Sequence, residues 1–145
     1  MRREAGMAFE QKSSWVYLVV SVGTFVAYIS IILGRADGAP LSEVSYVSTM
    51  LWTIGIAIGL SILGHIAVAV ANPSEADKRD VRDKEIYRFG EYVGGVVLGA
   101  GMVLPLALTM AELDHFWIAN AIYAVFVLSS LVGTTVKLVA YRRGI

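Results

Sequence analysis

The sequence predicts an all-α protein: a single domain over residues 1–145, built as an antiparallel bundle of four transmembrane helices. Three observations support this. The chain is 57% hydrophobic and only 17% charged, whereas soluble domains carry about 25% charged residues. Four apolar stretches are each long enough to cross a hydrocarbon core of about 30 Å. The charged residues are concentrated between and around these stretches.

The first apolar stretch predicts a helix that spans residues 15–34. It has 19 consecutive residues without a charge, 15–33. A signal peptide is the alternative, with Ala36-Asp37-Gly38 as a weak cleavage site. The apolar region of a signal peptide is normally only about 7–15 residues long. We therefore expect a retained first transmembrane helix.

The second uncharged stretch predicts a span over residues 46–71, which Pro73 ends. Ser74, with an acidic residue three positions later, has the sequence context of a helix N-cap. We expect one long third helix from this point. Its charged part, 74–90, extends into the cytoplasm, and its apolar part, 90–111, crosses the membrane.

The third span should be distorted near its end and followed closely by the fourth. Pro105 cannot donate a hydrogen bond to the carbonyl of Gly101, so it should kink the helix. Only four residues, 112–115, then precede the fourth span over residues 116–137. So short a connection predicts that the third and fourth helices are antiparallel neighbours.

The positive charges predict the orientation, because cytoplasmic loops of membrane proteins are enriched in Lys and Arg. The N-terminus, the segment 72–91 and the C-terminus hold 11 of the 12 Lys and Arg residues. The two other loops hold only Arg35. We therefore expect a multi-pass protein of the bacterial inner (cytoplasmic) membrane with both termini in the cytoplasm.

Small residues spaced four apart predict close helix contacts, because lipid provides no hydrophobic drive between helices. The pattern occurs in the last three spans, at Gly55 and Gly59, Gly90 and Gly94, Gly95 and Gly99, and Ser129 and Gly133. These residues could all pack within one bundle. Because four helices rarely bury two glycine faces of one helix, we expect a homo-oligomer. Asn120 should donate a hydrogen bond between helices.

Ionisable and hydroxyl side chains within the spans are candidates for a functional site. A charge at the centre of a span costs about 2.5–3.5 kcal/mol, so such residues tend to be retained for function. The candidates all lie in the cytoplasmic half of the predicted spans: His65, Glu91, Ser130, Thr134 and Lys137. Together they predict a cytoplasm-facing polar vestibule that binds or relays a proton or a cation.

Each of these polar residues also has a purely structural interpretation. Lys137 can extend its amine to the membrane surface. Glu91 can pair with Arg88, three residues before it. His65 can be a buried neutral side chain that bonds to Ser61 or to a backbone carbonyl.

The composition argues against an enzyme, a cofactor and a nucleic-acid partner. The chain has no Cys, which excludes disulfides and thiolate chemistry. His65 and His115 are expected near opposite membrane surfaces, so one chain cannot supply both ligands of a haem. Metal-binding, phosphate-binding and dinucleotide motifs are absent. The net charge of zero lacks the basic excess of nucleic-acid binders.

The charged segment from Ser74 to Glu91 has two interpretations. Acidic and basic residues four apart, Glu75 with Arg79 and Asp80 with Lys84, stabilise a solvated helix by about 0.2–0.5 kcal/mol per pair. The segment could also dock a cytoplasmic or membrane protein partner. Its balanced charge argues against simple adhesion to anionic lipid, which needs a basic excess.

Residues 77–86 of this segment read Asp-Lys-Arg-Asp-Val-Arg-Asp-Lys-Glu-Ile and precede a glycine-rich span. This arrangement resembles a feature of small uncharacterised four-helix membrane proteins of prokaryotes. The resemblance implies a four-helix fold and no particular function. Small multidrug exporters differ, because they need an acidic residue in the first span. Fluoride channels differ as well, because residues 90–108 lack their pattern of Thr, Phe and Ser.

Two functions are compatible with these features. We expect an oligomeric interaction or accessory component of the membrane, with the third helix as its interface. The alternative is a small channel or transporter for protons, ions or a solute, which would use the predicted vestibule.

Overall fold

The computed structural model describes residues 9–74 and 80–144, and these form helices and short connections without a strand. The elements are α1 (Phe9–Ala36), a 3-10 helix (Leu41–Glu43), α2 (Val47–Ala71), α3 (Val81–Gly101), α4 (Val103–Met110) and α5 (His115–Arg143). Four helical segments are long and apolar enough to cross a membrane: α1, α2, α3 together with α4, and α5. The predictions of an all-α chain and of four membrane-length helices are confirmed.

The third helix begins at Val81 rather than at Ser74, which lies in a turn. Asp80 has an extended backbone, and its carboxylate accepts a hydrogen bond of 2.7 Å from the backbone N–H of Asp83. The carboxylate of Asp83 accepts the N–H of Asp80 in return, at 3.3 Å. This reciprocal capping box satisfies two N–H groups that a helix start leaves without partners. Residues 75–79, with the predicted pair of Glu75 and Arg79, lie outside the described residues.

Met102 separates α3 from α4 at the place where the sequence predicts a distortion. Its own N–H still donates to the carbonyl of Leu98, at 3.0 Å. Pro105 is buried and has no N–H to donate to the carbonyl of Gly101. The missing hydrogen bond explains why the helix is interrupted here.

The helices pack in the order α2, α1, α5, α3. α1 contacts both α2 and α5, and α5 contacts both α3 and α4. Among the described residues, no comparable packing joins α2 to α3. The arrangement is therefore open on the side between α2 and α3.

Hydrogen bonds between helices identify the two ends of this arrangement. Lys12 Nζ donates to Asn72 Oδ1 (2.9 Å) and joins the start of α1 to the end of α2. The hydroxyl of Tyr141 donates to Asp83 Oδ1 (3.0 Å) and joins the end of α5 to the start of α3. We call this the terminal end. The opposite end, where the 3-10 helix and the connection between α4 and α5 lie, is the loop end.

An aromatic cluster fills the core of the half next to the loop end. Tyr28, only 2% exposed, donates a hydrogen bond from its hydroxyl to Asn120 Oδ1 on α5. The ring of Tyr123 meets those of Phe25 and Tyr28 edge to face, with centroids 5.3 and 5.0 Å apart. Its hydroxyl lies 3.2 Å from that of Thr53 on α2. The predicted hydrogen bond of Asn120 between helices is present, but the prediction that Asn120 donates it was wrong: Asn120 accepts it, and its own amide N–H donates to the carbonyl of Phe116 within α5.

Candidate functional site

A cavity of about 650 Å³ lies in the half next to the terminal end, lined by residues of α1, α2, α3 and α5. Its volume is within the range of about 300–1,000 Å³ that is usual for small-molecule sites. All five polar residues singled out in the sequence line it: His65, Glu91, Ser130, Thr134 and Lys137. The structure thus brings together candidates from three different helices.

Close packing of α3 on α5 forms one wall of this cavity. A Cβ on Gly94 would approach the carbonyl oxygen of Ser129 to 3.2 Å, and a Cβ on Gly133 would approach that of Gly90 to 2.9 Å. The hydroxyl of Ser129 donates to the carbonyl of Gly94, at 2.7 Å. At Gly133 a side chain would force one backbone to shift, and at Gly94 the backbone of Ser129 would have to give by a few tenths of an ångström.

The remaining predicted packing glycines have no packing partner among the described residues 9–74 and 80–144. A Cβ on Gly55, Gly59, Gly95 or Gly99 would meet nothing within 4 Å. Two faces of the protein, one on α2 and one on α3, are therefore rich in small residues and open.

Glu91 and Lys137 form an ion pair across α3 and α5, with 2.6 Å between Oε1 and Nζ. The Lys137 side chain is 13% exposed, whereas that of Glu91 is 59% exposed. The ammonium also lies 4.2 Å from the ring centroid of Tyr87, within the range of cation–π attraction. Glu91 thus pairs with Lys137 rather than with Arg88, and Lys137 turns to α3 instead of extending alone to the membrane surface.

The approach of the two helices explains this pairing. The side chain of Lys137 passes directly over Gly90, in the space that a Cβ would occupy. An ion pair with one partner more than half exposed contributes at most about 1 kcal/mol to stability. Its consequence for the site is positional, since it fixes one positive and one negative group on the cavity wall.

His65 lies on the α2 side of the cavity. Its ring packs edge to face against Phe9, with centroids 5.1 Å apart. Among the described residues it makes neither of the predicted hydrogen bonds, to Ser61 or to a backbone carbonyl. The imidazole is exposed rather than buried.

Two hydroxyl groups that line the cavity have no hydrogen-bond partner among the described residues. They are the buried Oγ atoms of Ser13 on α1 and Ser130 on α5. Buried polar atoms in proteins are nearly always hydrogen-bonded to protein or to water. Both hydroxyls therefore have hydrogen-bonding capacity that the described residues leave unused.

Sequence reasoning missed the contribution of α1. Glu10, Ser13, Ser14 and Tyr17 all line the cavity. The predicted first span began at residue 15, whereas α1 begins at Phe9. The spacing i, i+3, i+4, i+7 places these four side chains on one helix face, and this periodicity would have indicated the α1 wall.

The cavity offers hydroxyl groups, an imidazole and a fixed pair of opposite charges. Among the described residues, no group of three or more His, Cys, Asp or Glu side chains could hold a metal ion. Hydroxyl, imidazole, carboxylate and ammonium groups can form hydrogen bonds and ion pairs and can exchange protons.

The chain matches no protein-family model, no curated protein and no solved structure. The geometry of the cavity is accordingly the basis for inferring its function.

Proposed function

We propose that the protein is a small membrane transporter or channel that binds a polar solute or an ion in this cavity, which we call the vestibule. One observation carries the proposal: polar side chains from four helices converge in a single cavity of membrane-length helices. In lipid such groups are costly, and they are tolerated where they line a water-filled cavity.

The proposal includes the orientation of the protein. We infer a single-domain antiparallel bundle in the bacterial inner membrane, with both termini and the start of α3 on the cytoplasmic side. The Lys and Arg residues of the N-terminus, of 72–91 and of the C-terminus support this direction. The vestibule then opens to the cytoplasm, and the aromatic cluster around Tyr123 closes the other half.

The lining residues have distinct roles in this proposal. Glu91 attracts a proton or a cation at the mouth, where it exchanges the contact with Lys137 for a contact with the ligand. The hydroxyls of Ser13 on α1 and Ser130 on α5 accept or donate hydrogen bonds to the ligand. His65, on the facing wall, can accept and release a proton.

A second function, an oligomeric interaction or accessory component, is supported by the open glycine faces. Glycine-rich faces allow helices to associate closely in lipid. Gly55 with Gly59, and Gly95 with Gly99, lie on faces that no described residue of the chain covers. In this proposal these faces join copies of the chain, and the segment from Ser74 to Glu91 contacts a protein partner.

Flux through reconstituted vesicles tests the proposal. In proteoliposomes under a pH gradient, we expect the wild type to conduct protons and Glu91→Gln to fall to the level of protein-free vesicles, because the mouth loses its exchangeable charge. Glu112→Gln, an exposed carboxylate in the connection at the loop end, is the matched control and should conduct normally.

Two outcomes would count against transport: vesicles that stay tight with the wild type, or equal flux with Glu91→Gln. Oligomer size is measured on the same preparation, with Gly99→Leu as a further variant. Tight vesicles that contain an oligomer, together with dissociation by Gly99→Leu, would favour the accessory function instead.

A further inference from the structure

The ammonium of Lys137 lies between a carboxylate and an aromatic ring of α3, all of which line the vestibule. Its Nζ atom is 2.6 Å from Oε1 of Glu91 and 4.2 Å from the ring centroid of Tyr87. The carboxylate attracts a cation by its charge and by a hydrogen bond, and the ring attracts it by its quadrupole. These two groups, one helix turn apart on α3, form a place suited to an ammonium ion.

The methylene stem of Lys137 lies next to these groups, over Gly90. A Cβ on Gly90 would be 2.6 Å from Cε of Lys137 and 2.9 Å from the backbone carbonyl oxygen of Gly133. A side chain at position 90 would therefore have to move the stem or the backbone. Glycine leaves room for an alkyl chain beside the groups that hold its charge, so the site fits an alkylammonium as a whole.

The contact between Lys137 and Glu91 is open to exchange. The Glu91 side chain is 59% exposed, so a ligand in the vestibule can reach its carboxylate. A pair with one partner so exposed contributes little to stability, so a second cation can compete with Lys137. Lys137 ends the predicted fourth span, and its released ammonium can extend to the membrane surface.

We propose, on the basis of the transport function proposed for the vestibule, that its substrates are small primary organic ammonium ions. Lys137 is then an internal competitor, which occupies their site when no substrate is bound. The ammonium of the substrate replaces that of Lys137 at Glu91, and its alkyl chain lies over Gly90. An alkali cation has no alkyl part to fill this space, and an anion is repelled by the carboxylate.

Binding of n-butylammonium to the purified full chain tests this class of substrate. The ion reproduces the lysine side chain from Cβ to Nζ, and butyrate and n-butanol share its chain length but not its charge. Each is titrated in deuterated detergent and followed by saturation-transfer NMR. We expect saturable binding of n-butylammonium alone, and we expect an equal concentration of sodium not to displace it. Equal binding of butyrate or n-butanol, displacement by sodium, or no saturable binding would overturn the proposal.

The sign of the effect at Lys137 distinguishes a competitor from a group that binds the substrate. Lys137→Gln should bind n-butylammonium about fivefold more tightly, because the exposed ion pair no longer competes. Glu91→Gln should bind it about tenfold more weakly, because the charged hydrogen-bond acceptor is lost. Lys12→Gln is the matched control and should bind like the wild type, since Lys12 bonds to Asn72 and neither residue lines the vestibule.

Unchanged or weaker binding by Lys137→Gln, with helix content by circular dichroism equal to that of the wild type, would overturn the proposal. Normal binding by Glu91→Gln would do the same. The selectivity of the wild type decides the question where a variant fails to fold.

Failure of this proposal is distinguishable from failure of the transport function, because binding is measured in detergent and flux in vesicles. Proton flux that depends on Glu91, without n-butylammonium binding, would overturn the substrate class alone. Selective n-butylammonium binding by a protein whose vesicles stay tight would support the site and contradict transport.

Discussion

Replacing Gly133 by Ala is expected to destabilise the protein by about 1–3 kcal/mol relative to the same change at Gly95. A Cβ on Gly133 would come to 2.9 Å from the carbonyl oxygen of Gly90 and 3.5 Å from the Cα of Gly94. Both neighbours are backbone atoms, so one helix must move. That movement would also separate Glu91 on α3 from Lys137 on α5, because these two side chains meet across the same helix contact.

Gly95→Ala is the matched control for this prediction. Both glycines lie inside helices, so both substitutions bring the same gain in helix propensity. A Cβ on Gly95 would meet nothing within 4 Å of the chain. Unfolding in mixed micelles by increasing sodium dodecyl sulfate, followed by circular dichroism, gives the two stabilities. Equal free energies of unfolding for Gly133→Ala and Gly95→Ala would show that the backbones of α3 and α5 are farther apart than in the structure.

Tyr123→Ala is expected to cost about 3–5 kcal/mol of unfolding free energy, as removal of a large buried aromatic ring usually does. The Tyr123 side chain is 8% exposed and contacts the rings of Phe25 and Tyr28 on α1. Helix association in lipid depends on such van der Waals packing. The change leaves a void in the half that closes the vestibule, so we also expect reconstituted vesicles to become leaky.

Two further variants separate the causes of this effect. Tyr123→Phe removes only the hydroxyl contact with Thr53, and a hydrogen bond between helices in a membrane averages about 0.6 kcal/mol. Leu128→Ala truncates a side chain on the same helix that is 52% exposed, so its effect should be small. A loss for Leu128→Ala as large as that for Tyr123→Ala would mean that the aromatic cluster is not the core of this half.

The spans could be predicted from the sequence because apolar length and the positions of charges are local properties. Pro105 likewise marked the interruption at Met102, since a proline affects hydrogen bonds only within its own helix. The start of α3 was misplaced because Ser74 and Asp80 both precede acidic residues at the capping distance. Only the backbone of Asp80, which is extended next to a helical Val81, distinguishes the cap that is used.

The polar lining of the vestibule was partly predictable for a similar reason. Residues such as His65 and Glu91 stand out in apolar spans, and their common depth follows from counting helix turns. Their partners depend on which helices meet, and this is a tertiary property. From their spacing we expected Glu91 to pair with its neighbour Arg88. In the structure, the close contact of α3 with α5 brings Glu91 to Lys137 instead.

The glycines illustrate the same limit. The spacing identified two adjoining faces on α3 without distinguishing them. The structure packs the face of Gly90 and Gly94 against α5 and leaves that of Gly95 and Gly99 open. The difference arises from the complementary small residues of α5, Ser129 and Gly133, which lie opposite the first face only.

The central claim is that the vestibule is a water-filled cavity at membrane depth, and cysteine accessibility tests it most directly. The chain has no Cys of its own, so a single introduced thiol reports on one position. His65→Cys places the thiol on an exposed lining residue of α2, and Leu63→Cys places it on a side chain of α2 that is 62% exposed outside the vestibule. The two positions differ in depth by only about 3 Å.

The measurement is the rate at which a charged, water-soluble methanethiosulfonate modifies each variant in membranes. The thiolate is the reactive form, and an apolar environment disfavours it, so a thiol facing lipid should react about a hundredfold more slowly than one facing water. We expect rapid modification of His65→Cys from the cytoplasmic side and very slow modification of Leu63→Cys. Equally slow modification of both variants would contradict a water-filled vestibule and the function proposed from it.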